Sequence, residues 1–162
     1  MLHPFISPAH LIALLAAGLV FGQRGVLASR HAMAALMAAL ALGLWLSLRL
    51  QGLPEPDSLL LALGLLLGMG AVLALRWPAW ALVSLVALLG LAVGLGSAPD
   101  GMAPAQRSAA LIGSWLGASL CTACLAGLVH HGQRPWARIG VRVVASWLSA
   151  SAILVLTLAV GR

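Results

Sequence analysis

Apolar positions in this chain are grouped into long runs, and the polar positions lie in the short segments between them. Five of these runs carry no charge, and they approach the roughly 20 apolar residues that a bilayer-spanning helix needs. A sixth, shorter run near the start of the chain contains His10. The runs predict six transmembrane helices, at about 8–23, 32–48, 58–75, 77–98, 108–129 and 143–160.

The predicted helices use almost the whole chain, so we expect residues 1–162 to form one transmembrane domain. The expected fold class is all-α: a polytopic membrane protein in which six helices with short loops form a bundle. Glycines recur four residues apart in four of these helices, a spacing that lets helix backbones pack closely in lipid. The pairs are Gly18/Gly22, Gly64/Gly68, Gly90/Gly94 and Gly113/Gly117.

The composition supports a membrane location. Hydrophobic residues make up 62% of the chain and charged residues 7%, too few charges to cover the surface of a soluble domain. The lipid bilayer is therefore the expected surroundings. The arginines are spread singly, without a basic stripe or interleaved aromatic residues, so we expect no nucleic acid partner in spite of the net charge of +6.

The arginines predict an orientation. If the N-terminus is outside, six arginines fall inside, whereas three arginines and all three acids fall outside, as the positive-inside rule requires. We therefore expect the bacterial inner membrane, with both termini on the periplasmic side. Because Met1–His3 contains no Lys or Arg, we expect the first helix to be retained and not cleaved as a signal peptide.

Ionisable groups inside a membrane usually mark function, and the predicted helix interiors hold no acid. This pattern argues against a carboxylate proton relay and against a site for Mg²⁺ or Ca²⁺. Histidine, cysteine and methionine remain, and they suit softer transition metals. No catalytic motif and no motif for a tightly bound cofactor is visible, so we expect no enzyme.

His3 and His10 form the best candidate pair for a metal ion, although a continuous helix would hold them about 10 Å apart. A fold-back at Pro4 and Pro8 brings them closer. The alternative is an interfacial histidine that bonds to water and backbone. Weaker candidates are Cys121 and Cys124, which also suit small apolar packing positions, and His130 and His131, which also suit a solvated helix end.

The segment 3–18 resembles the first-helix signature of the HupE/UreJ family, approximately H-P-x-x-G-x-D-H-x-x-A-M-x-x-V-G. Its matching residues are His3, Pro4, His10, Ala13 and Gly18. The six helices, the short chain and the composition rich in Ala, Leu and Gly are similar too. The resemblance implies a membrane protein of hydrogenase and urease gene clusters, of a kind regarded as a nickel or cobalt permease.

The chain departs from the family pattern at several positions. Ala9 stands where the family has aspartate, and Ser7 where it has glycine. The stretch Gly94–Pro104 lacks the histidines that the family carries after its fourth helix, and Ala126 replaces a fifth-helix histidine. Two hypotheses follow: a nickel or cobalt permease with a reduced metal site, or a non-transporting accessory subunit of a larger membrane complex.

Overall fold

The computed structural model describes residues 8–24, 26–49, 57–97, 104–132 and 134–160. These residues form six α-helices and no strand, which confirms the all-α prediction for this part of the chain. The helices are α1 (Pro8–Gly22), α2 (Val26–Ser47), α3 (Asp57–Val72), α4 (Ala79–Leu95), α5 (Pro104–His131) and α6 (Pro135–Val160).

Helix α1 is the central element, and most of its residues are buried. It packs against α3, α5 and α6. A Cβ on Gly64 of α3 would lie 3.2 Å from the Cα of Ala13, and one on Gly18 would lie 3.1 Å from the Leu125 side chain of α5. The close approach of small residues therefore brings α1 against two neighbouring helices.

Helices α2 and α4 form a second unit, and each packs more extensively on the other than on the remaining helices. Gly90 of α4 lies against Leu36 and Leu40 of α2, and Gly94 lies against Leu40 and Leu44. Both sets of contacts advance in the same direction along the two helices. The helices α2 and α4 are therefore parallel, as expected when each connection reverses the direction of the chain.

The described helices differ in length. Three spans, Ala28–Ser47, Gln106–His131 and Pro135–Leu158, are long and apolar enough to cross a membrane. The apolar helices α1, α3 and α4 are shorter, about 22–26 Å at a rise of about 1.5 Å per residue. The described residues thus confirm six helices, of which three have the length and composition of a membrane span, and the prediction of six spans stays a prediction.

Several helix ends differ from the sequence-based expectation: α2 begins at Val26 rather than at 32, and α5 at Pro104 rather than at 108. Two further ends bear on the site. Helix α3 ends at Val72 rather than near residue 75, because Ala74 takes the left-handed conformation (φ 49°). There the Leu75 N–H donates to the Gly70 carbonyl at 2.9 Å, which closes the helix end. Helix α6 begins at Pro135 rather than at 143, so Arg138 and Arg142 lie on a helix and not in a loop.

Candidate functional site

His10 lies in the first turn of α1 and is 2% exposed. Pro8 begins the helix, a position where its missing N–H costs nothing. Ala13 is three residues further along and therefore shares a helix face with His10. Ala13 lies against Gly64 of α3. The imidazole is therefore buried within the protein at the end of the bundle where α1 begins. His3 lies outside the described residues.

Asp57, the first residue of α3, is at the same end of the bundle as His10. The contacts of Ala13 with Gly64 and of Gln23 with Ala71 advance together, so α1 and α3 are parallel and begin at the same end. The Asp57 Oδ1 atom is buried and has no hydrogen-bond partner among the described residues. The sequence placed Asp57 on the outer side, just before the predicted helix 58–75, and did not indicate it as a ligand candidate.

Cys121 and Cys124 lie near the middle of α5 as free thiols, with Cys121 half-buried and Cys124 exposed. Thr122, between them, lies beside Gly18 of α1. Gly18 is two helical turns beyond His10, about 12 Å along the axis, so the thiols and the imidazole lie at different depths. Because Cys124 is exposed, its side chain does not fill a space between the described helices.

His130 and His131 occupy the last turn of α5, with ring centroids 5.8 Å apart in an edge-to-face arrangement. They lie at the end of the bundle opposite His10. Among the described residues, no three His, Cys, Asp or Glu side chains are close enough to hold one metal ion. The structure therefore separates the candidate ligands His10, Cys121/Cys124 and His130/His131 into three levels along the bundle.

Comparison with known families identifies the family of this chain. The family model described as HupE / UreJ protein matches residues 1–159. The chain belongs to the HupE/UreJ family. No curated protein and no solved structure gives a significant match. Because the HupE/UreJ match covers all six helices, it extends well beyond the N-terminal motif, and it indicates an accessory or transport-related membrane protein for nickel or cobalt.

The HupE/UreJ motif residues that the structure describes have two kinds of environment. Ala13 lies at a close contact of α1 with α3 and Gly18 at one with α5, so they serve packing. His10 adds a buried imidazole to the same helix. Ala9, at the position of the family aspartate, is 2% exposed and contributes only a methyl group. Asp57 is the acid in the described part of the chain, and it lies at this end of the bundle.

Proposed function

We propose that this HupE/UreJ protein carries a divalent transition metal ion, nickel or cobalt, across the bacterial inner membrane. The observation that carries the proposal is the burial of His10 within the central helix of the bundle. A polar group is costly to bury in a membrane protein and is normally kept for function. A neutral imidazole is also among the preferred ligands for nickel and related ions.

Asp57 supplies the carboxylate that Ala9 lacks in this proposal. It begins a helix that is parallel to α1 and packed against it, and its Oδ1 atom is buried. A carboxylate that joins an imidazole at this end of the bundle would give a divalent ion both charge compensation and a second ligand. His3 is the third candidate ligand, by its place in the family motif. The ion is the transported substrate, and no tightly bound cofactor is proposed.

Inward movement of the ion is favoured by the membrane potential, which contributes about 2.3 kcal/mol per charge per 100 mV. Cys121, Cys124, His130 and His131 are the further candidate ligands along α5 toward the other end of the bundle. Their separate levels suit successive binding of a moving ion better than one shared site. We propose no catalytic residue.

A non-transporting accessory subunit is the second candidate function. The observation that favours it is the exposed face of α5, where Ile112, Leu116 and Leu120 stand in line with Gly113. A Cβ on Gly113 would meet nothing within 4 Å. A glycine on an exposed apolar face is suited to close packing of a helix from another membrane subunit.

Metal binding by the purified protein tests the permease proposal. We expect one nickel or cobalt ion per chain in a titration of the protein in mild detergent. His10→Gln and Asp57→Asn should each weaken binding at least about tenfold, since even the loss of an outer-shell partner costs that much. His31→Gln is the matched control, because His31 is an exposed histidine at the other end of the bundle.

Uptake of nickel into liposomes that contain the protein distinguishes transport from binding alone. Uptake that His10→Gln abolishes and His31→Gln preserves would support the permease. Absence of saturable binding in the wild-type protein would contradict it. Co-purification of a defined membrane complex, together with that absence, would favour the accessory subunit.

A further inference from the structure

A cavity of about 520 Å³ lies at the end of the bundle opposite His10. Its walls come from the end of α1, the connection between α3 and α4, the end of α5 and the first turns of α6. Four arginines line it: Arg24, Arg76, Arg138 and Arg142. The apolar part of the wall includes Val20, Val129 and Ile139.

Hydrogen bonds across the two connections hold Arg24 in place. Its Nη1 donates to the Trp77 carbonyl at 2.7 Å, and its Nη2 donates to the Leu75 carbonyl at 3.0 Å. Each of these nitrogens carries a second N–H, so the guanidinium retains donors for a ligand. Gln23 ties the connection between α1 and α2 to the last turn of α3, because its Nε2 donates to the Ala71 carbonyl at 3.0 Å.

The early start of α6 determines the arrangement of two further arginines. Arg138 and Arg142 are four residues apart on this helix and therefore lie on one face, which lines the cavity. Arg76 approaches from the connection between α3 and α4. Burial and the charge of Arg76 both lower the pKa of Arg24, a sign that the cations at this cavity repel one another.

No carboxylate side chain lines the cavity, and the acid in the described part of the chain, Asp57, begins α3 at the opposite end of the bundle. Four arginines and no carboxylate therefore line one concave space. We propose that this cavity binds a phosphate-bearing anion, held by Arg24, Arg76, Arg138 and Arg142.

The chemistry of the lining favours a phosphate group. The guanidinium fork bonds phosphate oxygens in pairs, and several forks together can surround a tetrahedral anion. The cavity volume is within the range of small-molecule sites. Basic pockets between transmembrane helices bind anionic lipid headgroups, and the apolar wall would suit the lipid portion next to the phosphate. A free phosphate is the other source of the same group.

Binding measurements in neutral detergent test the site and identify the source. The probes are phosphatidylglycerol, phosphatidylcholine and inorganic phosphate, with native mass spectrometry and thermal unfolding as readouts. We expect phosphatidylglycerol to bind as one molecule per chain and to raise the unfolding temperature more than phosphatidylcholine does. Binding of inorganic phosphate that competes with phosphatidylglycerol would identify free phosphate as a second source, and its failure to bind would assign the site to lipid.

Arg138→Gln and Arg142→Gln should each weaken binding about tenfold, the effect of losing a hydrogen bond to a charged group. Arg24 is left unchanged, because it also holds two connections together. Arg30→Gln is the control: Arg30 is an exposed arginine of α2 that does not line the cavity. Equal weakening by Arg30→Gln would overturn the proposal, as would equal binding of phosphatidylglycerol and phosphatidylcholine together with no binding of phosphate.

Discussion

Single glycines determine how closely α2 and α4 approach each other. A Cβ on Gly94 would lie 2.6 Å from the Leu40 carbonyl oxygen and 2.8 Å from the carbonyl carbon of Gly43. A Cβ on Gly43 would lie 2.5 Å from the Leu91 carbonyl oxygen. Since these neighbours are backbone atoms, no side-chain rotation can make room for a methyl group, and the helices themselves would have to separate.

Gly94→Ala is therefore expected to destabilise the bundle by about 1–3 kcal/mol, the usual cost of overpacking. Gly113→Ala is the matched control, because its methyl group would meet nothing within 4 Å. That substitution should be neutral or stabilise the protein by up to about 1 kcal/mol, since alanine favours the helix. Denaturant unfolding in detergent micelles measures both changes, and equal effects would contradict the packing account.

The sequence predicted these close contacts only in part. The four-residue spacing correctly identified Gly18/Gly22, Gly64/Gly68 and Gly90/Gly94 as positions of close helix packing. The same spacing marked Gly113, where an added Cβ would meet no neighbouring element within 4 Å. A spacing pattern shows that a helix can pack closely, whereas the partner depends on the tertiary arrangement.

At the scale of helices, Trp115 connects the unit of α2 and α4 to the remaining helices of the bundle. The unit of α2 and α4 meets the other helices through fewer contacts than it makes internally. The Trp115 Nε1 atom of α5 donates to the Met37 carbonyl of α2 at 2.9 Å. A carbonyl inside a helix accepts this bond in addition to its helical one, so the contact fixes α5 against α2.

Trp115→Phe should destabilise the protein by about 1 kcal/mol, because it removes the donor and keeps most of the aromatic packing. Trp147→Phe is the control, since Trp147 of α6 is 71% exposed. Thermal unfolding followed by light scattering or by binding of a thiol dye compares the two variants. A larger loss of stability for Trp147→Phe would show that Trp115 does not connect the units.

Helix ends show why the helix boundaries were only partly predictable. Pro135 is a sequence signal for the start of α6, since proline suits the first helical position. The prediction placed the start at 143 because it followed the apolar run, which begins later than the helix. The end of α3 carries no comparable signal. Ala74 occupies a left-handed position that glycine usually takes, so its conformation depends on the surrounding structure.

At the scale of the molecule, the distribution of charge and of buried groups follows from the order of the helices. Apolar runs located the helices, but α1 and α4 are apolar on all faces, so no periodicity showed which side of each helix is packed. The burial of His10 and the meeting of four arginines at one cavity therefore required the structure. The end of the bundle to which each arginine belongs was predictable, because each connection reverses the chain.

The orientation of the whole molecule in the membrane is the last prediction. The arginine-rich end should face the cytoplasm, because positively charged connections are retained inside. Cys121→Ala/Cys124→Ala removes the native thiols, and single cysteines are then introduced as Ser58→Cys, at the end of His10, and Arg134→Cys, at the arginine-rich end. Both positions are exposed at helix ends.

In intact spheroplasts, a membrane-impermeant maleimide should label the Ser58→Cys variant, and it should label the Arg134→Cys variant only after the membrane is opened. The reverse pattern would invert the molecule, and labelling of both in intact cells would show that an odd number of segments between residues 58 and 134 fails to cross the bilayer.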